Sequence, residues 1–129
     1  MFSMGILAIT ILSLMIMFPK MKMLVNKADH KVAAIKACQT KMETIREAGY
    51  AGVAAPSAVT EFIVLDNGED QASTADDVRA NLITTTTEVD AGGVTVAKKI
   101  MVQCTWIENQ NDQTCSEYLD CILYDNSIE

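Results

Sequence analysis

Cys38, Cys104, Cys115 and Cys121 are the residues of this 129-residue chain whose type and number most plainly invite chemistry. An even set of cysteines in a small chain points to disulfides and an oxidising compartment, with free buried thiols as the plain alternative. Zinc is a poor fit, because no Cys-x-x-Cys pair occurs and the lone His30 lies far from the three later cysteines. His30 itself stands beside Asp29, between Lys27 and Lys31. A general base needs a nucleophile and an orienting partner, and the sequence suggests neither, so His30 reads as a solvated or interface residue. The acidic run Asp66, Glu69, Asp70, Asp76 and Asp77 offers hard oxygen ligands without the alternating spacing of a calcium loop, and reads as a solvated loop. Gly92-Gly93 is a turn signal rather than a phosphate cradle. The expectation is a chain with no catalytic residue, no cofactor and no metal: not an enzyme.

Charge narrows the partners. Seven of the ten Lys and Arg residues lie between Lys20 and Arg46, whereas residues 50–129 hold three basic and fourteen acidic ones. The front is net positive by four and the rear net negative by eleven. An acidic rear half argues against nucleic acid, since phosphate contacts need clustered Lys and Arg.

These residues must be positioned by two very different elements. Residues 1–18 carry no charge. As a helix they measure about 27 Å, at the short end of what crosses a hydrocarbon core. Met1, Phe2, Met4, Gly5, Ile6, Leu7, Ile9, Ile11, Leu12 and Leu14 make this stretch apolar on every face, as suits lipid or the inside of an assembly. Pro19 lacks a backbone donor and should kink or locally open a continuing helix. Beyond it, Met21, Val25, Ala28, Val32, Ile35, Cys38, Met42 and Ile45 recur at intervals of three or four. That is one apolar stripe on an amphipathic helix over 19–49, with Gly49 as its stop signal.

The pattern then changes. Residues 50–58 read as a loop, and 59–65 and 78–89 as strands flanking the acidic loop. Asp90-Ala91-Gly92-Gly93 is a turn. Residues 94–107 form the clearest strand. Val94, Val96, Ile100, Val102, Cys104 and Trp106 share one of its faces, broken only by Lys98. A last strand is expected over 118–124, after a polar loop at 108–114. The predicted class is α+β: a long N-terminal helix with an apolar projecting half and an amphipathic half, the latter packed on an antiparallel sheet of about four strands. The head is 50–129. A sheet with one apolar face needs a cover, and the stripe of the second half-helix supplies it.

In this order, three segments resemble type IV pilins and the related pseudopilins of type II secretion systems. They are Phe2-Ser3-Met4 with the apolar run 6–14, the helix end Lys41-Met42-Glu43-Thr44-Ile45-Arg46, and the strand 97–106 ending in Trp106. The resemblance implies a subunit held in a bacterial inner membrane, then polymerised by a pilus assembly machinery into an extracellular helical homopolymer. It also implies an N-methylated Met1 at a processed N-terminus. The positive-inside rule would put Lys20, Lys22 and Lys27 in the cytoplasm, against the cysteines; a basic leader removed ahead of this sequence reconciles the two. The chain departs from the family at Gly5, where pilins carry a glutamate, which points toward a minor pilin or pseudopilin. A membrane-anchored periplasmic binding module that never polymerises is the alternative from another class.

The pilin-like plan frames the cysteines. Cys38 on the helix stripe and Cys104 on the core face of its strand can meet. Cys115–Cys121 would then close a C-terminal loop like that of many pilins. Cys104–Cys121 with Cys38–Cys115 is the rival, and sequence alone does not choose between them.

Overall fold

The computed structural model describes residues 2–66, 78–108 and 113–125. One helix, α1 (Phe2–Gly52), is followed by four strands: β1 (Ser57–Asp66), β2 (Val78–Ala91), β3 (Val94–Glu108) and β4 (Gln113–Tyr124). The strands pair in chain order as one antiparallel sheet, β1-β2-β3-β4. The α+β class, the long helix and the four-stranded sheet expected from the sequence are all present.

Local chemistry sets the boundaries. Gly49 is the one residue of α1 outside helical dihedrals, at φ 67° and ψ −177°. That positive φ is open to glycine at little steric cost, and it ends the long helix where the stop signal lay, leaving a single further turn to Gly52. Pro19 lies inside the helix. The helix runs through it without a break. The missing N–H removes one hydrogen bond, but a helix already propagated on both sides retains the neighbouring ones. Between β2 and β3, Ala91 pairs with Val94 across Gly92-Gly93, whose φ values are 66° and 87°. Two successive positive φ angles make the primed turn whose twist matches a hairpin. β4 starts five residues earlier than expected: Gln113 and Thr114, read as loop, and residues 115–117 beyond them continue the pairing.

The core lies on one face of the sheet, under the second half of α1. Alternation brings Val78, Ala80, Leu82, Thr84 and Thr86 of β2 to it, with Ile100, Val102, Cys104 and Trp106 of β3. Ile63 and Leu65 of β1, and Leu119 and Leu123 of β4, pack at its margins. From the helix come His30, Ala34, Cys38 and Met42, one turn apart, with Ile45 beside them.

This face corrects the expected stripe. Cys38, Met42 and Ile45 do face the sheet, but Met21, Val25 and Val32 are 60, 56 and 51 % exposed. At 100° per residue, the line His30–Ala34–Cys38–Met42 lies about a third of a turn around the helix from Met21–Val25–Val32. The amphipathic half therefore has two apolar edges, and the head covers one of them.

Candidate assembly helix and its seat on the head

The residues singled out for assembly stand clear of the head. Ile6, Leu7, Ile9, Ile11, Leu12 and Leu14 are 50–71 % exposed, and Met15 to Phe18 continue the same surface. Gly5 is likewise open, with nothing near the place of a side chain. Phe2 and Met4 belong to the helix by their backbone, while their side chains, and all of Met1, lie outside the described residues. The apolar half of α1 is long and apolar enough to cross a membrane, and none of its hydropathic window is buried in the chain itself. Its two described polar side chains turn back on the helix. Thr10 Oγ1 donates to the Leu7 carbonyl at 2.8 Å, and Ser13 Oγ to the carbonyls of Ile9 and Thr10 at 2.6 and 3.1 Å. With their hydroxyls satisfied internally, this half presents an outer surface that needs no water.

Polar contacts seat the other half at both ends. At the neck, where α1 leaves the head, the His30 ring meets the Glu108 carboxylate, with Nδ1 3.1 Å from Oε1 and 3.2 Å from Oε2. Trp106 Nε1 donates to the same Oε1 at 3.0 Å. All three residues are buried. Burial pushes the Glu108 carboxyl up. The hydrogen bonds from Trp106 and His30, with the charges of His30 and Lys27, outweigh it and hold the group below its ordinary range. His30 is thus buried within the chain, not the solvated or interface residue expected. Glu108 closes β3 rather than opening a loop.

At the far end, Lys98 explains its own interruption of an apolar face. Its Nζ donates to the carbonyls of Tyr50 and Val53 at 2.8 and 2.6 Å and sits 4.2 Å above the Tyr50 ring. These carbonyls belong to the end of α1 and the loop beyond it, where helix acceptors lack partners and a cation complements the dipole. Between the two ends, Lys41 pairs with Glu61 of β1 and Lys31 with Glu117 of β4, the latter at 2.8 Å. Of the lysines along α1, Lys31 and Lys41 are therefore engaged within the chain.

The cysteines divide into two kinds. All four are thiols in the structure. Cys38 and Cys104 have no exposed surface and belong to one core cluster. Glu117 lies directly across the ladder from Cys104, and Cys38 Sγ is 4.0 Å from its carbonyl oxygen. Burial pushes both thiols up, Cys104 to about 11, with the neighbouring Cys38 adding to the effect. Cys115 and Cys121 lie opposite Trp106 and Ile100 in the single strand β4. Six residues of extended strand separate their Cα atoms by about 20 Å, so the expected C-terminal Cys115–Cys121 loop is ruled out. The rival Cys104–Cys121 bridge fails too. Cys121 is displaced four residues along the ladder from Glu117, the partner of Cys104, roughly 13 Å away. Cys121 instead places its Sγ 3.1 Å from Met42 Sδ.

Among the described residues, no group of three or more Cys, His, Asp or Glu side chains is arranged to hold a metal. The acidic stretch considered for calcium lies, from residue 67 to 77, outside the described residues. A sequence reading could have found Lys98 from its place on an apolar face. Nothing local marks Glu108, since its partner His30 is 78 residues away. Comparisons with protein-family models, curated proteins and solved structures return no match for this chain.

Proposed function

We propose that this chain is a structural subunit of a type IV pilus-like filament, held in a bacterial inner membrane by the apolar half of α1 and polymerised through it into an extracellular fibre. The observation that carries this reading is the division of α1: its second half is covered by the sheet, while Ile6 to Phe18 stay exposed. An exposed surface of that size is stable only in lipid or against other apolar helices. Burial at about 25 cal/mol per Å² along such a helix amounts to some tens of kcal/mol as an upper figure, enough to drive bundling of identical helices after extraction from the membrane. Head-to-tail contacts that do not close then generate an open filament. The partners are further copies of this chain and the machinery that extracts it. Gly5, lacking the carboxylate of the pilin pattern, favours a minor or pseudopilin position within such a fibre.

The reading is tested by electron microscopy of sheared surface material with the subunit identified by mass spectrometry. Leu7→Glu and Ile11→Glu should abolish incorporation while Trp106 fluorescence reports a folded head. Normal incorporation of either variant, or a native chain confined to the membrane fraction as a detergent-stable monomer, defeats the proposal in favour of a plain anchored module.

A further inference from the structure

We infer that Cys38 and Cys104 form the chain's one native disulfide, a covalent tie between α1 and β3, and that Cys115 and Cys121 remain thiols. Three observations carry this, and none depends on polymerisation. First, Cys38 and Cys104 share the middle of the helix–sheet interface, both without solvent exposure. Second, Cys38 Sγ approaches the carbonyl of Glu117 to 4.0 Å, and Glu117 is the direct cross-strand neighbour of Cys104. Directly paired Cα atoms stand about 4.5–5.5 Å apart, which brings Cys38 Sγ within about one strand spacing of Cys104. Third, the remaining cysteines are excluded from each other by the roughly 20 Å of β4 between them. Cys115 is also diagonal to Cys104, at about 7–8 Å, beyond ordinary bridging distance.

The chemistry balances by thiol–disulfide exchange with a disulfide oxidant, such as glutathione disulfide or a dithiol oxidoreductase. The thiolate of one cysteine attacks the oxidant's S–S bond, which breaks and releases one thiol while a mixed disulfide forms. The second cysteine, losing its proton, displaces the other half. Two protons and two electrons pass from the pair to the oxidant, which ends as two thiols. Because only the thiolate attacks and both thiols are sealed in the core, exchange proceeds while the chain is folding, before α1 covers the sheet. The tie then locks the helix face that the core selects.

The test refolds the full chain in detergent from denaturant with glutathione disulfide present, then alkylates it unreduced under denaturing conditions. Mass spectrometry should find two of the four cysteines alkylated and a single linked peptide pair joining Cys38 to Cys104. The Cys115→Ser/Cys121→Ser variant should keep that link and lose all alkylation. Four alkylated cysteines after oxidative refolding, or a dominant bond that includes Cys115 or Cys121, overturns the inference. The double variant makes the outcome independent of whether a Cys38 substitution folds.

Discussion

Removing the carboxylate of Glu108 should be among the most damaging single changes to the head, although no sequence pattern points to it. The carboxylate accepts from Trp106 Nε1 at 3.0 Å and meets His30 Nδ1 at 3.1 and 3.2 Å, all within a buried cluster. Glu108→Ala leaves the indole N–H buried without its acceptor, which costs about 1–3 kcal/mol. It also removes the hydrogen bond to buried His30 Nδ1, a further loss of about 0.5–1.5 kcal/mol. Together the two losses come to about 1.5–4.5 kcal/mol. Small domains are stable by about 5–15 kcal/mol, so the loss is a large share of the whole. At roughly 4–8 °C per kcal/mol for a head of this size, the melting point should fall by roughly 6–36 °C. Glu108→Gln keeps an acceptor for Trp106 and exchanges charge-assisted hydrogen bonds for neutral ones, a difference of about 1 kcal/mol. Trp106 is the chain's one tryptophan, so its fluorescence during urea titration in detergent reads the cluster directly. The reasoning is refuted if Glu108→Ala unfolds within about 1 kcal/mol of the parent, or if the glutamine variant is as damaged as the alanine one.

The same group sets an acid limb. Its folded carboxyl titrates below the ordinary value of 4.5, so just below that pH the unfolded chain binds more protons than the folded one. The stability it contributes is fully present above about pH 4.5 and is lost as pH falls through the lowered folded value. Urea midpoints from pH 7 to 3 should therefore converge between parent and Glu108→Gln on the acid side, and a constant gap would contradict the assignment. Lys98→Met should cost about 1–3 kcal/mol by leaving the Tyr50 and Val53 carbonyls without their ammonium donor. Hydrogen exchange should accelerate at residues 45–53 and stay unchanged in β2; uniform acceleration would mean that the lysine does not hold the helix end.

What could be read from the sequence was whatever repeats locally. Alternation through Ile100, Val102, Cys104 and Trp106 defined β3 and its buried face, and Gly92-Gly93 and Gly49 marked a turn and a helix end that the backbone angles bear out. What could not be read was relational. Met21, Val25 and Val32 fit the same three-four spacing as Cys38 and Met42, and only the sheet decides which edge of the helix it covers. A Cys115–Cys121 loop followed from the pilin resemblance once Cys38 was paired with Cys104, but a continuous strand between them converts a short loop into a fixed span. His30 reads as a solvated or interface residue and Glu108 as the start of a polar loop, because neither has a visible partner nearby in the sequence. Each is buried only because the other, 78 residues away, arrives at the same place.

The geometry of that meeting explains why helix and head act as one body. From His30 to Tyr50 the helix advances about 30 Å, and from Lys98 to Glu108 the strand advances about 33 Å in the opposite sense. The two lengths match, so the His30–Glu108 contact and the Lys98 contact with the helix end fall at opposite limits of one packed segment. Between them lies an apolar seam of Ala34, Cys38 and Met42 against Ile100, Val102 and Cys104. A pull on the exposed half of α1 would load this seam lengthwise, in shear along its whole length, rather than peel it from one end. Shear loads the polar contacts at both limits together with the seam, whereas peeling would break them in turn. Cutting α1 at Pro19 would leave that arrangement in place, while cutting it at Ala34 would uncover the buried apolar face of the sheet. The head is therefore expected to survive loss of the projecting half and to fail on loss of the packed one, since the helix that carries the projecting half is also the cover of its core.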